Sequence, residues 1–284
     1  MERIYNDFTI NIATANGTGS QSSNLILLNS MFQMGVPVSG KNLFPSNIAG
    51  LPTWFIIRAS DDGYQAPGNK AHIQVLMNKD SWRKDLEKLE PGTLVVYNED
   101  VKLPVDRDDC FAFGMPMTKM ARGINPKLAR LMCNMYYVGG LAHLLGIDED
   151  MINECVSNQF KGKEKAIEFN MRAISEGRAY AEENWDFECH LSVEARDKDP
   201  DTFLVEGNDA TALGAIYGGI NLLSWYPITP SSSLAESVIG WLPELRADGN
   251  GGSTCAVVQA EDEIAAAGMV VGTGWAGGRG MTCT

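Results

Sequence analysis

Apolar and polar residues alternate near the start of the chain, where Phe8, Ile10 and Ile12 are interleaved with Thr9 and Asn11; this spacing predicts a strand. Thr14-Ala-Asn-Gly-Thr-Gly-Ser20 breaks the pattern, and Leu25, Leu28 and Phe32 then follow at helical spacing. Trp54-Phe-Ile-Ile57, Ile73-Gln-Val-Leu-Met77 and Leu94-Val-Val-Tyr97 read as three further short strands, the last preceded by the turn Pro91-Gly92. Between the last two, Ser81-Trp-Arg-Lys-Asp-Leu-Glu-Lys-Leu89 predicts a helix with Ser81 as its cap. Strands alternating with helices predict an α/β protein with a largely parallel sheet. Two longer helices follow, one with Leu128, Leu131, Met132 and Met135 on its core face and one with Ile167, Met171 and Ile174.

The pattern changes at Glu194-Ala-Arg-Asp-Lys-Asp-Pro-Asp201, which carries six charges in eight residues and reads as a surface linker. We place a domain boundary at 198/199, dividing the chain into 1–198 and 199–284. Past it the sequence predicts a short strand, Phe203-Leu-Val205, then a helix in which Ala210, Gly214, Gly218 and Gly219 replace bulky side chains. Glycine in a helix costs about 1 kcal/mol relative to alanine, so this run implies close backbone packing or an approaching ligand.

Trp225-Tyr-Pro-Ile-Thr-Pro-Ser-Ser-Ser233 concentrates hydroxyl groups on a loop stiffened by two prolines. It reads equally as a serine-capped loop before a helix over residues 234–241. Cys255-Ala-Val-Val-Gln-Ala-Glu-Asp-Glu263 predicts a strand running into a helix. Its three acidic residues are explained either by the helix dipole or by one carboxylate facing a ligand. The chain stops at Met281-Thr-Cys-Thr284 without a visible terminal element and reads as incomplete in its second domain.

The chain has 284 residues, and 23 basic against 36 acidic side chains give a net charge of −13, which argues against nucleic acid or an anionic membrane as partner. No apolar run of membrane-spanning length and no signal-peptide core occurs, so the expected location is cytoplasmic. Six cysteines lie at least twenty residues apart and three histidines are scattered, so no local metal or cluster motif exists and no metal ligand is assigned. Gly17-x-Gly19 is followed by Ser22, which fails the dinucleotide fingerprint, and no Lys-Ser/Thr follows as a phosphate loop requires.

Taken together, Gly207-Asn208 with Ala210, Tyr226-Pro-Ile-Thr-Pro-Ser-Ser232, Gln259-Ala-Glu-Asp-Glu263 and Gly278-Arg279 with Thr282 and Thr284 resemble the α subunit of 2-oxoacid:ferredoxin oxidoreductases. Leu43-Phe-Pro-Ser-Asn-Ile-Ala-Gly-Leu-Pro-Thr-Trp54 and Arg58 resemble the γ domain fused ahead of it in the 2-oxoglutarate type, while Ala15-Asn-Gly-Thr-Gly-Ser-Gln-Ser22 departs from that domain's glycine-rich loop. The resemblance implies a Rossmann-like γ domain followed by an incomplete pyrimidine-binding α/β domain for thiamine diphosphate. It implies CoA-dependent oxidative decarboxylation, of 2-oxoglutarate to succinyl-CoA by preference, with electrons passed to ferredoxin. Glu261 would hold the cofactor's pyrimidine nitrogen, with Glu263 as second choice and Pro230 beside the ring. Thr229 would donate its hydroxyl to the substrate, with Tyr226 and Ser231 shaping the pocket. Lys41, Ser46, Asn47 and Arg58 would contact coenzyme A, a basic group suiting a phosphate. Magnesium and a [4Fe-4S] cluster are expected in a β subunit, and the chain alone is expected to be inactive. Competing readings are another thiamine enzyme of the transketolase or carboligase type, and a non-catalytic nucleotide-binding protein using the 17–20 loop.

Overall fold

In the computed structural model the described residues are 3–45, 48–68 and 70–284. The chain divides into two compact units, Met1–Thr202 and Phe203–Thr284; the expected boundary was 198/199. The polar segment begins on the first unit. There the Asn6 side chain exchanges hydrogen bonds with the Glu194 backbone, and the Arg196 amide donates to the Met34 carbonyl at 2.8 Å.

The first unit runs β1 (Ile4–Tyr5), β2 (Phe8–Ala15), α1 (Ser20–Gln33), β3 (Val38–Leu43), β4 (Pro52–Ala59), β5 (Ile73–Leu76), α2 (Trp82–Glu87), β6 (Leu94–Asn98), β7 (Phe111–Met115), α3 (Met117–Ile124), α4 (Ala129–Leu145), α5 (Glu149–Gln159), α6 (Glu164–Asn184) and β8 (Leu191–Ser192). Six strands form one sheet in the order β3-β4-β2-β5-β6-β7. β2, β5, β6 and β7 are parallel neighbours, whereas β4 runs antiparallel to both β2 and β3. The sheet is therefore α/β and mostly parallel with an antiparallel edge, and the sequence pattern did not reveal β3 or β7.

β2 sits mid-sheet and is buried on both faces, so the alternation of Phe8, Ile10 and Ile12 with Thr9 and Asn11 does not mark a solvent-facing side; Thr9 is as buried as its neighbours. One face carries Phe8, Ile10, Ile12 and Phe55 toward α1, whose Leu28 approaches Phe55 at Gly40. The other carries Ala13, Leu76 and Val95 under Trp82, Leu86 and Leu89 of the α2 region. Of the apolar residues read as the α1 stripe only Leu28 is buried, since Ser23, Asn24, Leu27 and Met31 line the inner side. Likewise Leu128 and Leu131 are exposed at the start of α4, a helix otherwise buried almost all round. Ile167 and Met171 are half-buried on α6, which presents Asn170, Ala173, Ile174 and Gly177 inward. Ser81 flanks α2 without a side-chain cap bond.

The second unit runs α7 (Gly207–Tyr217), β9 (Leu222–Trp225), α8 (Ser232–Leu245), β10 (Ala256–Gln259), α9 (Glu263–Trp275) and β11 (Gly280–Met281). Its three strands are all parallel, in the order β10-β9-β11. Its core joins Ala212 and Ile216 of α7, Leu223 and Trp225 of β9, and Leu234, Ala235, Val238 and Leu242 of α8. Phe203-Leu-Val205 is not a strand: it has no partner strand, and Phe203 and Val205 are exposed. The close packing expected of these glycines is found only past the end of α7. Nothing lies within 4 Å of a Cβ placed on Gly214, but one on Gly218, which caps the helix, would stand 3.0 Å from the Gly214 carbonyl, and one on Gly219, at φ +78°, 2.8 Å from the Arg279 guanidinium.

No helix among the described residues is long and apolar enough to cross a membrane.

Candidate functional site

The residues singled out in the second unit gather at the carboxyl ends of its strands. β9 and β10 pair from Leu222↔Ala256 to Trp225↔Gln259, and the Ala260 amide donates to the Trp225 carbonyl at 2.8 Å. The 226–233 loop and Glu261 thus leave the sheet side by side. On the other flank of β9, β11 pairs Gly280↔Leu222 and Met281↔Leu223, which brings Thr282 and Thr284 to the same end. In open parallel sheets this end is where ligands bind, because the loops diverge there and helix N-termini point at the crevice.

The loop is held from below. The Ile228 carbonyl accepts from the Ser231 hydroxyl at 2.9 Å, the Ser232 hydroxyl at 3.2 Å and the Ser232 amide at 3.0 Å. Ser231 is buried, and its hydroxyl turns back into the loop instead of capping α8, so the capped-loop reading fails at that position. Its carbonyl accepts from the Cys283 thiol at 3.7 Å, and burial pushes that thiol's pKa up. α8 begins at Ser232 and runs to Leu245, past the expected 234–241.

Thr229 and Pro230 are exposed at the loop's tip, and the Thr229 hydroxyl makes no hydrogen bond among the described residues. Tyr226 is half-buried where the loop leaves β9. Glu261 is exposed and also lacks a hydrogen bond or ion pair among the described residues. The adjacent acids divide their roles: Asp262 is the N-cap of α9, accepting from the Ala265 amide at 2.7 Å, and Glu263 lies exposed in the first turn. The helix-dipole explanation thus accounts for Asp262 and Glu263 and leaves Glu261 unspent.

The coenzyme A candidates divide differently. Ser46 and Asn47 lie outside the described residues. Lys41 is exposed on β3, where it faces Ile56, and Arg58 faces Ser39 two places along. Opposed residues share a face, so both cations lie on the α2 side of the sheet. Arg58 is ion-paired with Asp7 and also donates to the Ala59 carbonyl at 2.6 Å. On this same face the sequence reading missed a cavity of about 600 Å³ lined by Leu43, Phe44, Trp54, Gln74, Asp85 and Lys88, among others. Within it Asn11 donates to Gln74 at 2.8 Å, and the Trp54 indole donates to Asp85 at 2.9 Å. Burial raises the Asp85 pKa, opposed by the nearby Ser81 hydroxyl, the Trp54 indole and Lys88. These residues come from separate segments, and no local spacing links them.

At the start of α1, Gly17 and Gly19 have φ near +76° and +75°. A Cβ on Gly19 would lie 3.3 Å from the Leu131 carbonyl, so close approach of α4 explains that glycine without a phosphate. No group of three or more His, Cys, Asp and Glu residues suited to hold a metal occurs among the described residues.

A parallel α/β unit with a hydroxyl-rich loop and an uncommitted carboxylate at adjacent strand ends is the arrangement of a cofactor-binding domain, joined here to a separate mixed α/β unit. The family model "Pyruvate ferredoxin/flavodoxin oxidoreductase" matches residues 9–180, and "Pyruvate flavodoxin/ferredoxin oxidoreductase, thiamine diP-bdg" matches residues 213–284. The chain belongs to the pyruvate ferredoxin/flavodoxin oxidoreductase family.

Among solved structures it is similar to the 2-oxoglutarate:ferredoxin oxidoreductase from Magnetococcus marinus, determined with 2-oxoglutarate, coenzyme A and succinyl-CoA bound. That match has TM-score 0.82 and 31% identity, covering 98% of this chain and 47% of that one. The first unit's fold also resembles the γ subunit of a keto/oxoacid ferredoxin oxidoreductase from Geobacter sulfurreducens, with TM-score 0.52 and 15% identity over 62% of this chain and 99% of that one. Among curated proteins, 2-oxoacid:ferredoxin oxidoreductase 2 subunit alpha from Aeropyrum pernix is 26% identical over 98% of this chain and 51% of its own length. The 2-oxoglutarate synthase subunit KorA from Methanothermobacter marburgensis is 46% identical over 82 residues, 29% of this chain and 20% of its own length. The chain spans about half the length of the curated relatives it matches end to end.

Proposed function

We propose that this chain is α-subunit sequence of a 2-oxoacid:ferredoxin oxidoreductase that decarboxylates 2-oxoglutarate, transfers the succinyl group to coenzyme A and passes electrons to ferredoxin. The observation that carries the reading is the placement of Thr229 and Glu261 on adjacent, register-paired strand ends, each with its polar group uncommitted among the described residues.

That pair suits the aminopyrimidine end of thiamine diphosphate: a carboxylate can hold a proton at a ring nitrogen, and a hydroxyl on a stiff loop can donate to a substrate oxygen. When bound, this cofactor supplies the electron sink for cleaving the bond between a 2-oxoacid's carbonyl carbon and its carboxylate. Glu261 is assigned the proton at the pyrimidine nitrogen, with Glu263 as the alternative. Thr229 is assigned the hydrogen bond to the substrate's carboxylate or carbonyl, and Tyr226, Pro230 and Ser231 shape the pocket around it.

The cavity on the first unit is the proposed coenzyme A contact. Its apolar lining suits a pantetheine arm, and Lys88 and Lys41 on its face suit phosphate. Arg58 shares that face, committed to Asp7. Magnesium and the iron–sulfur cluster are assigned to the β subunit. The named 2-oxoglutarate proteins among the relatives support the choice of substrate. The cytoplasm remains the proposed location.

The test is 2-oxoacid-dependent ferredoxin reduction by the assembled complex. Thr229→Ala and Glu261→Gln should each lower kcat by roughly 100-fold or more. Near-normal turnover in both variants would overturn the assignment. A kcat/KM for pyruvate above that for 2-oxoglutarate would overturn the choice of substrate.

A further inference from the structure

Thr229 lies between two carbonyls, those of Ile228 and Pro230. The Ile228 carbonyl is gripped by donors of the loop itself and of the first turn of α8. The Pro230 carbonyl is held otherwise. It accepts from the Ser233 hydroxyl at 3.2 Å and from the side-chain amide of Asn208 at 3.0 Å, and the same amide donates to Ser233 Oγ at 2.7 Å. An asparagine NH2 carries two donor hydrogens, and here both are used, one on each partner. Asn208 is the second residue of α7, 22 positions before Pro230. Among the described residues it is the one group outside the loop and α8 that hydrogen-bonds Thr229 or Pro230, the Cys283 thiol reaching only the following Ser231 carbonyl.

We propose that Asn208 is a positioning residue for substrate binding, whose amide fixes the Pro230 carbonyl and Ser233 and thereby sets where the Thr229 hydroxyl stands. This rests on the reading of Thr229 given above. Pro230 has no amide hydrogen, so its backbone can be anchored only through its own carbonyl, the one that Asn208 and Ser233 hold. Without Asn208 that carbonyl keeps one neutral hydrogen bond, from a serine that can rotate away. Nearby, the Ser237 hydroxyl lies within hydrogen-bond distance of Asp209 and of the Ser233 carbonyl and shares its one proton between them, tying α7 to α8 without touching the tip. Ser237 therefore separates general helix packing from control of the tip.

The experiment compares Asn208→Asp, Asn208→Ala and Ser237→Ala in the assembled complex. Aspartate keeps the shape of asparagine and removes both donors, so a packing role survives that change and a donor role does not. Both Asn208 variants should lower kcat/KM for the 2-oxoacid by roughly tenfold to thirtyfold, the range expected for two lost neutral hydrogen bonds, with thiamine diphosphate affinity within about twofold of wild type. Hydrogen exchange should speed up in a peptide spanning residues 226–234 in the Asn208 variants and stay at the wild-type rate with Ser237→Ala.

Wild-type exchange and kcat/KM in Asn208→Asp would overturn the proposal. So would equal losses of thiamine diphosphate affinity, exchange protection and turnover in all three variants, since that result marks a packing role. A wild-type complex that turns over no 2-oxoacid would refute the functional reading, and faster exchange confined to the Asn208 variants would still show that this amide fixes the loop.

Discussion

Gly139 lies where α4 crosses α6, and Gly139→Ala sets two effects of known size against each other. Alanine is the better helix former by about 1 kcal/mol, so on propensity alone the substitution stabilises. A Cβ at Gly139, however, would stand 2.0 Å from the Ile174 carbonyl oxygen and 2.7 Å from the Arg178 nitrogen, both backbone atoms of α6. No rotamer relieves a clash with backbone, so the helices must part by more than about 1 Å along their longest contact. Overpacking of this kind costs roughly 1–3 kcal/mol where side chains can give, and the backbone clash places it at or above the top of that range. The net expectation is a loss of about 2 kcal/mol or more, read as a fall of roughly 1 M in the urea midpoint of the purified chain with the slope unchanged. Gly123→Ala in α3 is the matched control in the same unit: nothing lies within 4 Å of its Cβ, so propensity acts alone and the midpoint should rise. If Gly139→Ala is as stable as wild type while Gly123→Ala behaves as expected, the packing argument for α4 and α6 is wrong.

Three further outcomes follow from the first unit. Burial raises the Asp85 pKa, so its protonated form is favoured and stability falls as pH rises above 3.8. Asp85→Asn keeps an acceptor for the Trp54 indole and should raise the urea midpoint at pH 7 but leave it unchanged at pH 3. Burial pushes the Cys133 thiol up to about 11 from 9.0, so its contribution is complete below pH 9 and is lost as pH climbs through 11. Cys133→Ala should flatten the alkaline loss by about 2–3 kcal/mol, measured as the difference between the two urea-midpoint curves from pH 8 to 11.5. Lys88→Ala and Lys41→Ala in the assembled complex should raise the KM for coenzyme A several-fold and leave that for the 2-oxoacid unchanged; unaltered values for coenzyme A would separate the cavity from that substrate.

Period-2 and period-3.6 patterning located most elements and identified only part of the faces they bury: Leu28, Met132, Met135 and Ile174 are buried as expected, while Leu128 and Leu131 are not. The alternation of Thr9 and Asn11 with apolar residues marked β2 as a strand without showing that strands flank it on both sides: Thr9 is buried, and Asn11, half-buried, donates to Gln74. The strand β3, Val-Ser-Gly-Lys-Asn-Leu, escaped notice because an exposed edge strand needs no apolar run; its pairing with β4 supplies what its composition lacks. Leu128 and Leu131 fit a helical stripe but precede the buried stretch of α4, which is apolar on every side and therefore offers periodicity nothing to detect.

The candidate site was more legible than the fold around it, for a reason that lies in its construction. Each half is local in sequence: the hydroxyls of Thr229 and Ser231 belong to one proline-stiffened loop, and Glu261 follows four residues of strand. Both halves could be read without tertiary information. What joins them is register, Trp225 opposite Gln259, and register is a property of pairing that neither segment displays alone. The same holds for Asn208, whose two donors meet residues 22 and 25 positions away across a helix and a strand. A shift of β10 by one residue along β9 would reverse the faces of its side chains and move Glu261 by about 3.3 Å relative to Thr229, enough to separate the two groups that the proposed function assigns to one ligand. The catalytic reading therefore depends on the three-stranded sheet being rigid, which makes the buried packing of Leu223 and Trp225 against α7 and α8 part of the site's chemistry as well as its stability.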